Sequence, residues 1–206
     1  MIKKNIVIGS GGHARSLVSL LINNKVKNIK IKSFSKLIFK EKIFKFKIEK
    51  LNLEYDLKGN NNYFLAIGDL DVRKKYFDIL KKRKKSTPNI FAKSSNVNDD
   101  LNLGTGNFIG ENIFIGPDTK IGSNNIINSS CSIDHECIIG NDCNISPGVV
   151  LAGRANLGNK IFIGMGACIA ENIKICNNVI IGANSFVNKS ILKPGTYFGS
   201  PIRKIK

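Results

Sequence analysis

Ile115-Gly116-Pro117-Asp118-Thr119-Lys120-Ile121-Gly122-Ser123-Asn124-Asn125-Ile126-Ile127 places an aliphatic residue at every sixth position. Outward from it the interval holds without a gap, through Val97, Leu103 and Ile109 on one side. On the other side it runs through Ile133, Ile139, Ile145, Leu151, Leu157, Ile163, Ile169, Ile175, Ile181 and Val187, sixteen hits in all. A helix needs apolar residues at a period of 3.6 and a half-buried strand at a period of 2, whereas six means a short strand and a turn repeated in register. Three hexads close a triangular coil, with the aliphatic residues inward at its corners and each stacked on a counterpart eighteen positions away. Roughly five coils at a strand spacing of about 4.8 Å give a parallel β-helical prism about 24 Å long. The residue after each aliphatic one is usually Gly (Gly104, Gly110, Gly116, Gly122, Gly140, Gly158, Gly164, Gly182) or another small or polar residue, and the residue four after it is often small or apolar. Gly and Asn are expected at the turns, where positive φ or close backbone approach is needed.

The charge is uneven. Of the 32 Lys+Arg and 15 Asp+Glu, residues 1–95 hold 23 and 7, a net of +16, and the remainder hold 9 and 8, a net of +1. The basic half includes Lys25, Lys27, Lys30, Lys32, Lys36, Lys40, Lys42, Lys45 and Lys47, and a run at Lys81, Lys82, Arg83, Lys84 and Lys85. Such a surface is solvated, or draws a phosphorylated small molecule, or binds nucleic acid. Scattered Lys with little Arg favours the first, and neither nucleic acid nor a membrane is expected as a partner. Five cysteines fall in the second half; Cys131, Cys137 and Cys143 are six apart and are expected to stack as small packing residues. The odd count, and the lack of a signal-peptide core near the N-terminus, lead to the expectation of a reducing cytoplasm without disulfides.

Before the prism, Asn5–Ile8 reads as an apolar strand running into Gly9-Ser10-Gly11-Gly12-His13-Ala14 and an amphipathic helix with Leu17, Val18, Leu20 and Leu21. Strand, glycine turn and helix form the opening of a mononucleotide-binding unit, in which backbone N–H groups at the helix start suit a diphosphate. A dinucleotide would need an acid at the end of the second strand. That strand, at 29–32, runs on instead into Ser33-Phe34-Ser35. A nucleotide, a nucleotide sugar or a bare tight turn therefore stay open. Further strands are expected at 63–67 and 87–91, with a helix at 72–84 capped by Asp69 or Asp71 and turning Tyr76, Phe77 and Leu80 inward. The division expected is an α/β Rossmann-like domain at 1–92, the prism at 93–190 and a tail at 191–206.

Only two histidines occur, His13 in the glycine turn and His135 within Asp134-His135-Glu136. Imidazole exchanges a proton near neutral pH and a flanking carboxylate orients it, so His135 is a candidate general base; a packed or surface histidine is the plain alternative. Taken with the hexads, these residues give a resemblance to the PglD/NeuD group of hexapeptide-repeat acyltransferases, nucleotide-sugar N-acetyltransferases and sialic acid O-acetyltransferases. The resemblance spans nearly the whole chain. Its residues are Gly11-Gly12-His13, Phe64-Leu65-Ala66-Ile67-Gly68, Ile127-Asn128-Ser129-Ser130, Asp134-His135-Glu136-Cys137-Ile138-Ile139-Gly140 and Phe198-Gly199-Ser200-Pro201.

The resemblance implies a left-handed β-helix and an acetyl-CoA-dependent reaction. In it His135 would be the base, Glu136 would raise its basicity, and the acceptor would attack the thioester directly without an acyl-enzyme. It places nucleotide-sugar contacts at Gly11, Gly12, His13 and Gly68. Acetyl-CoA contacts fall at Asn144, Met165 and Ala183, in a groove between prisms of a homotrimer. Relatives that bind a UDP-sugar carry acids where this chain has Ser33-Phe34-Ser35, so a hydroxyl of sialic acid or another sugar stands beside the amino group as acceptor. A zinc carbonic anhydrase on the same prism needs three histidines, and only His135 lies there, so no metal is expected. A non-enzymatic scaffold would tolerate the loss of His135.

Overall fold

The computed structural model describes residues 3–35, 41–98 and 101–206; Lys36 and Lys40 of the basic series lie outside them. The chain divides into two compact units, Met1–Ile90 and Phe91–Lys206.

In the first unit the elements are β1 (Asn5–Ile8), α1 (Gly12–Asn23), β2 (Ile29–Ser33), β3 (Lys42–Ile43), β4 (Phe46–Lys50), α2 (Leu53–Asp56), β5 (Asn62–Leu65) and α3 (Leu70–Lys82). The sheet order is β3-β4-β2-β1-β5, with β1 parallel to both neighbours. Ile6, Val7 and Ile8 are all buried, as befits a central strand covered on both faces. The chain leaves β1 for β2 on one side and returns to β5 on the other. The carboxyl ends of β1 and β5 therefore flank the crevice where such sheets take ligands. Helix α1 buries Ala14, Leu17, Val18, Leu20 and Leu21. Helix α3 begins two residues before the expected 72, because Asp69 Oδ1 accepts from the Val72 N–H at 2.9 Å and so fixes the start. Lys32, inside β2, is held by Asp56 and Glu49 at 2.8 Å each, an internal pairing rather than a free basic surface.

The strand expected at 87–91 is corrected. Only Ser86 bridges to Asn62; Pro88, which has no N–H to give a ladder, follows, and Ile90–Phe91 is already the first strand of the prism.

The prism has three faces. Face one carries Asn96–Val97, Phe114–Ile115, Ser132–Ile133, Val150–Leu151, Cys168–Ile169 and Phe186–Val187. Face two carries Asn102–Leu103, Lys120–Ile121, Ile138–Ile139, Asn156–Leu157 and Lys174–Ile175. Face three runs from Ile90–Phe91 through Asn144–Ile145 to Val179–Ile181, then Gly195–Phe198 and Arg203–Lys204. Pairs among the hexad strands up to Val187 are parallel and eighteen apart, as in Ile115 with Ile133 and Ile133 with Leu151, while the closing pair of Gly195–Phe198 with Arg203–Lys204 is antiparallel. The sixfold residues from Ile109 to Val187 form one buried core, joined by Ile113, Cys131, Cys137, Cys143, Val149, Ala155 and Ile161. The last residues, read as a tail, continue face three: Gly195–Phe198 pairs with Val179–Ile181.

The two needs expected at the turns fall at different positions. Positive φ falls three residues after the aliphatic position, at Asn112, Asp118, Asn124, Ser130, Glu136, Asp142, Gly148, Arg154 and onward; the glycines that directly follow the aliphatic residue are not among them. Those glycines answer the next coil instead: a β-carbon on Gly140 would stand 2.5 Å from the Gly158 carbonyl oxygen, one on Gly164 2.4 Å from the Ala183 nitrogen. Cys131, Cys137 and Cys143 are buried packing residues as expected, but they do not form a column. Spaced by six in a repeat of eighteen, they take the three corners of a single coil.

Candidate active site

Each corner of the prism is a column of residues eighteen apart, and the three columns differ in chemistry. Between faces two and three it reads Thr105, Ser123, Asn141, Asn159, Asn177. The Asn159 side-chain oxygen accepts the Asn141 N–H and that of Asn177 accepts the Asn159 N–H, at 2.7 Å each. This column satisfies the turns.

Between faces one and two it reads Pro117, His135, Gly153, Glu171. Asp134 Oδ1 accepts the His135 backbone N–H at 2.8 Å, and His135 Nδ1 lies 2.9 Å from Glu136 Oε2. Arg154 approaches the same Oε2 at 2.9 Å. The Arg154 guanidinium first, and the His135 ring second, hold the Glu136 carboxyl below the usual carboxylate range, so it is ionised at neutral pH. An ionised carboxylate only accepts. The ring proton must therefore sit on Nδ1, which leaves Nε2 with a lone pair and makes it a base. The ring lies over Gly153, where a β-carbon would stand 2.7 Å from Nε2. Beside Glu136 opens a concavity of about 420 Å³ lined by Asn102, Asp118, Thr119, Lys120, Glu136 and Ile138.

Between faces three and one the column includes Met165 and, one coil on, Ala183; Met165 is 60 % exposed. Asn144 stands on face three in the strand before, buried, with its Oδ1 accepting from Asn128 Nδ2 at 3.1 Å. Met165 and Ala183 share one edge of the prism, and Asn144 stands on face three beside it. His135 and Glu136 occupy another edge, a full face away in the same chain.

In the first unit the glycine turn ends at the start of α1, whose N-cap is Gly11 with no side-chain cap and no acid in the first turn. Gly11, Gly12 and Gly68 are exposed, and a β-carbon on any of them would meet nothing within 4 Å. That leaves open space in front of the helix start, which favours an anion. Gly9 differs: its φ is +120° and a β-carbon would strike the Ala66 carbonyl oxygen at 2.3 Å. Glycine is needed there for the close approach of the chain leaving β1 to the residue after β5. His13 does not offer its ring outward. Its Nε2 is enclosed, and burial, followed by the nearby Arg73 charge, pulls its pKa from 6.5 to about 3, so the ring is neutral. Arg73 is itself fully buried and donates to the Leu65 carbonyl at the end of β5. Where an acid would hold a ribose, Ser33 is buried and bonds Ser10 between hydroxyls at 2.9 Å. Phe34 next to it is partly exposed and stacks on Tyr76 at 5.0 Å.

A family model for the PglD N-terminal domain matches residues 4–80, and one for the bacterial transferase hexapeptide (six repeats) matches residues 118–153. The chain belongs to the PglD/NeuD group of hexapeptide-repeat acyltransferases. As a member of that group it is an acyltransferase, and its prism is the left-handed parallel β-helix. Among solved structures it is similar to a histidine-to-asparagine variant of perosamine N-acetyltransferase from Caulobacter crescentus in complex with CoA and GDP-perosamine. The TM-score is 0.92 at 25% identity, over 100% of this chain and 98% of that one. Two others share the fold at 20% identity. They are the acetyltransferase domain of PglB from Neisseria gonorrhoeae (TM-score 0.91, 99% of this chain and 100% of that one) and WeeI from Acinetobacter baumannii (0.87, 99% and 100%). No curated protein sequence matches the chain.

Sequence reading missed three residues beside the candidate site residues, two in the prism and one in the first unit. Gly153 and Arg154 touch His135 and Glu136 only through the eighteen-residue repeat. Arg73 falls on the inward stripe of α3 with Phe77 and Leu80, and that placement was the available signal. Among the described residues no group of three His, Cys, Asp or Glu side chains is placed to hold a metal ion, and no helix is long and apolar enough to cross a membrane.

Proposed function

We propose that this protein transfers acetyl from acetyl-CoA to the amino group of a nucleotide-linked amino sugar. The observation that carries the reading is the His135–Glu136 pair, with Nδ1 fixed at 2.9 Å from a carboxylate and Nε2 free to take a proton. The acceptor nitrogen attacks the thioester carbonyl carbon and gives its proton to His135 Nε2. The C–S bond then breaks, and the CoA sulfur leaves with the proton that His135 returns. Glu136 holds the ring and balances its charge while the proton is there. The open glycine turn at Gly11, Gly12 and Gly68 supports binding of a nucleotide diphosphate, with the helix start facing phosphate and His13 packing behind it.

Asn144, Met165 and Ala183 are assigned to acetyl-CoA. Because they stand a full face from His135 in one chain, the working site is assigned to the seam between prisms of a homotrimer, with the thioester brought to the histidine of a neighbour. The enzyme is assigned to the cytoplasm. Ser33 in the place of an acid favours one second reading, an acetyl acceptor hydroxyl on sialic acid or another sugar.

The test is thiol release from acetyl-CoA with a panel of nucleotide-linked amino sugars and free sialic acid. Release with an amino sugar that falls by roughly 10²–10⁴-fold in His135→Ala is the expected result. Release with sialic acid alone moves the acceptor to a hydroxyl, and full activity in His135→Ala overturns the mechanism. Sedimentation of a fully active monomer overturns the seam.

A further inference from the structure

We propose that Arg154 is a positioning residue of the transfer reaction, holding the Glu136 carboxylate against His135 and acting on the acceptor only through that pair. The proposal rests on His135 being the base. Arg154 stands one coil beyond Glu136 on the same corner, and its backbone N–H donates to the His135 carbonyl at 3.0 Å. One arm of its guanidinium meets the Glu136 Oε2 that also faces His135; the other meets Glu171 Oε1 at 3.1 Å. A planar fork spanning two carboxylates fixes the first in a way that a point charge cannot.

Glu136 and Arg154 share the left-handed corner conformation of the repeat, with φ of 56° and 59°, at a position that most of the other turns fill with Asn, Asp or Gly. Glu171 completes the arrangement. A lone guanidinium beside His135 would oppose the positive charge the ring acquires on taking a proton, and the Glu171 carboxylate offsets it. Hydrogen bonds and ion pairs among the described residues thus link His135 to Asp134 and Glu136 from its own turn, and through Glu136 to Arg154 and Glu171 from the coils beyond.

Steady-state thiol release by the full-length protein, with the acceptor that the panel identifies, tests the assignment. Arg154→Ala is expected to lower kcat roughly 10-fold through misplacement of the base, with KM for both substrates unmoved. Arg154→Lys restores part of the loss, since an ammonium reaches one carboxylate but does not fork across two. In a Glu136→Gln background, Arg154→Ala costs nothing further, because the route by which it acts is already cut. An unchanged kcat in Arg154→Ala, or losses that multiply in the double variant, overturns the assignment. If Arg154→Ala does not fold, Arg154→Gln carries the same comparison. Full activity in His135→Ala would instead overturn the base itself, so the two failures are distinct.

Discussion

The imidazole of His135 rests against Gly153, and a β-carbon on that glycine would come within 2.6 Å of the ring Cε1. Gly153 does not have positive φ, so the need for glycine there comes from the ring and not from the backbone. Gly153→Ala should therefore fold normally and lose activity. The ring must shift by about 1 Å, and a misplacement of that size costs up to about 10²-fold in kcat. Kinetics beside a thermal melt checks this: an active Gly153→Ala protein shows that the ring does not work from the position described.

His13 makes the first unit sensitive to acid. Its folded pKa, near 3, lies below the ordinary 6.5, so the unfolded chain binds a proton that the folded chain refuses. Stability conferred by the neutral ring is complete above pH 6.5 and is lost as pH falls toward 3, by at most about 1.4 kcal/mol per pH unit. Between pH 6.5 and 5, where most carboxylates stay ionised, His13→Gln should flatten the fall in melting temperature. Equal slopes for the two proteins would show that the ring is not held neutral.

Thiol chemistry separates the cysteines. Burial pushes the Cys131 and Cys137 thiols to about 11 and that of Cys143 to about 12, while Cys168 is exposed on face one. A thiolate-selective reagent at pH 8 should leave Cys131, Cys137 and Cys143 unmodified in the folded protein and label all five after unfolding. Peptide mapping reads the sites, and rapid native labelling of Cys143 would contradict a closed prism core.

Core truncation should be costly in the prism. Ile145 is fully buried and stacks between Ile127 and Ile163, so Ile145→Ala leaves a cavity that neighbouring coils cannot close. A loss of about 2–5 kcal/mol is expected by denaturant unfolding of this unit. A loss below about 1 kcal/mol would mean that the coils collapse onto the gap.

The prism was legible because its sixfold period needs no long-range information: each aliphatic residue declares its own inward position. What a residue touches across coils is a matter of eighteen, and there the reading by sixes failed. It took Cys131, Cys137 and Cys143 for a column when they ring one coil. It passed over Gly153 and Arg154, whose importance lies wholly in standing above His135 and Glu136. In the first unit β1 and the glycine turn were plain from an apolar run broken by Gly9, but the inward rings and charges of His13 and Arg73 depend on how α1 and α3 pack on the sheet. The strand expected at 87–91 failed because apolar residues after Pro88 serve the next unit's first coil.

Strands paired eighteen apart also set a rule for how this chain can change length. Eighteen residues inserted within a corner add one storey and leave every column standing over its predecessors. Six residues inserted at the same place turn all that follows by a third of a revolution, carrying Met165 and Ala183 onto an edge that belonged to other residues. Growth and shrinkage of the prism are therefore quantised in whole coils, and the spacing between the histidine edge and the Met165 edge survives only in those steps.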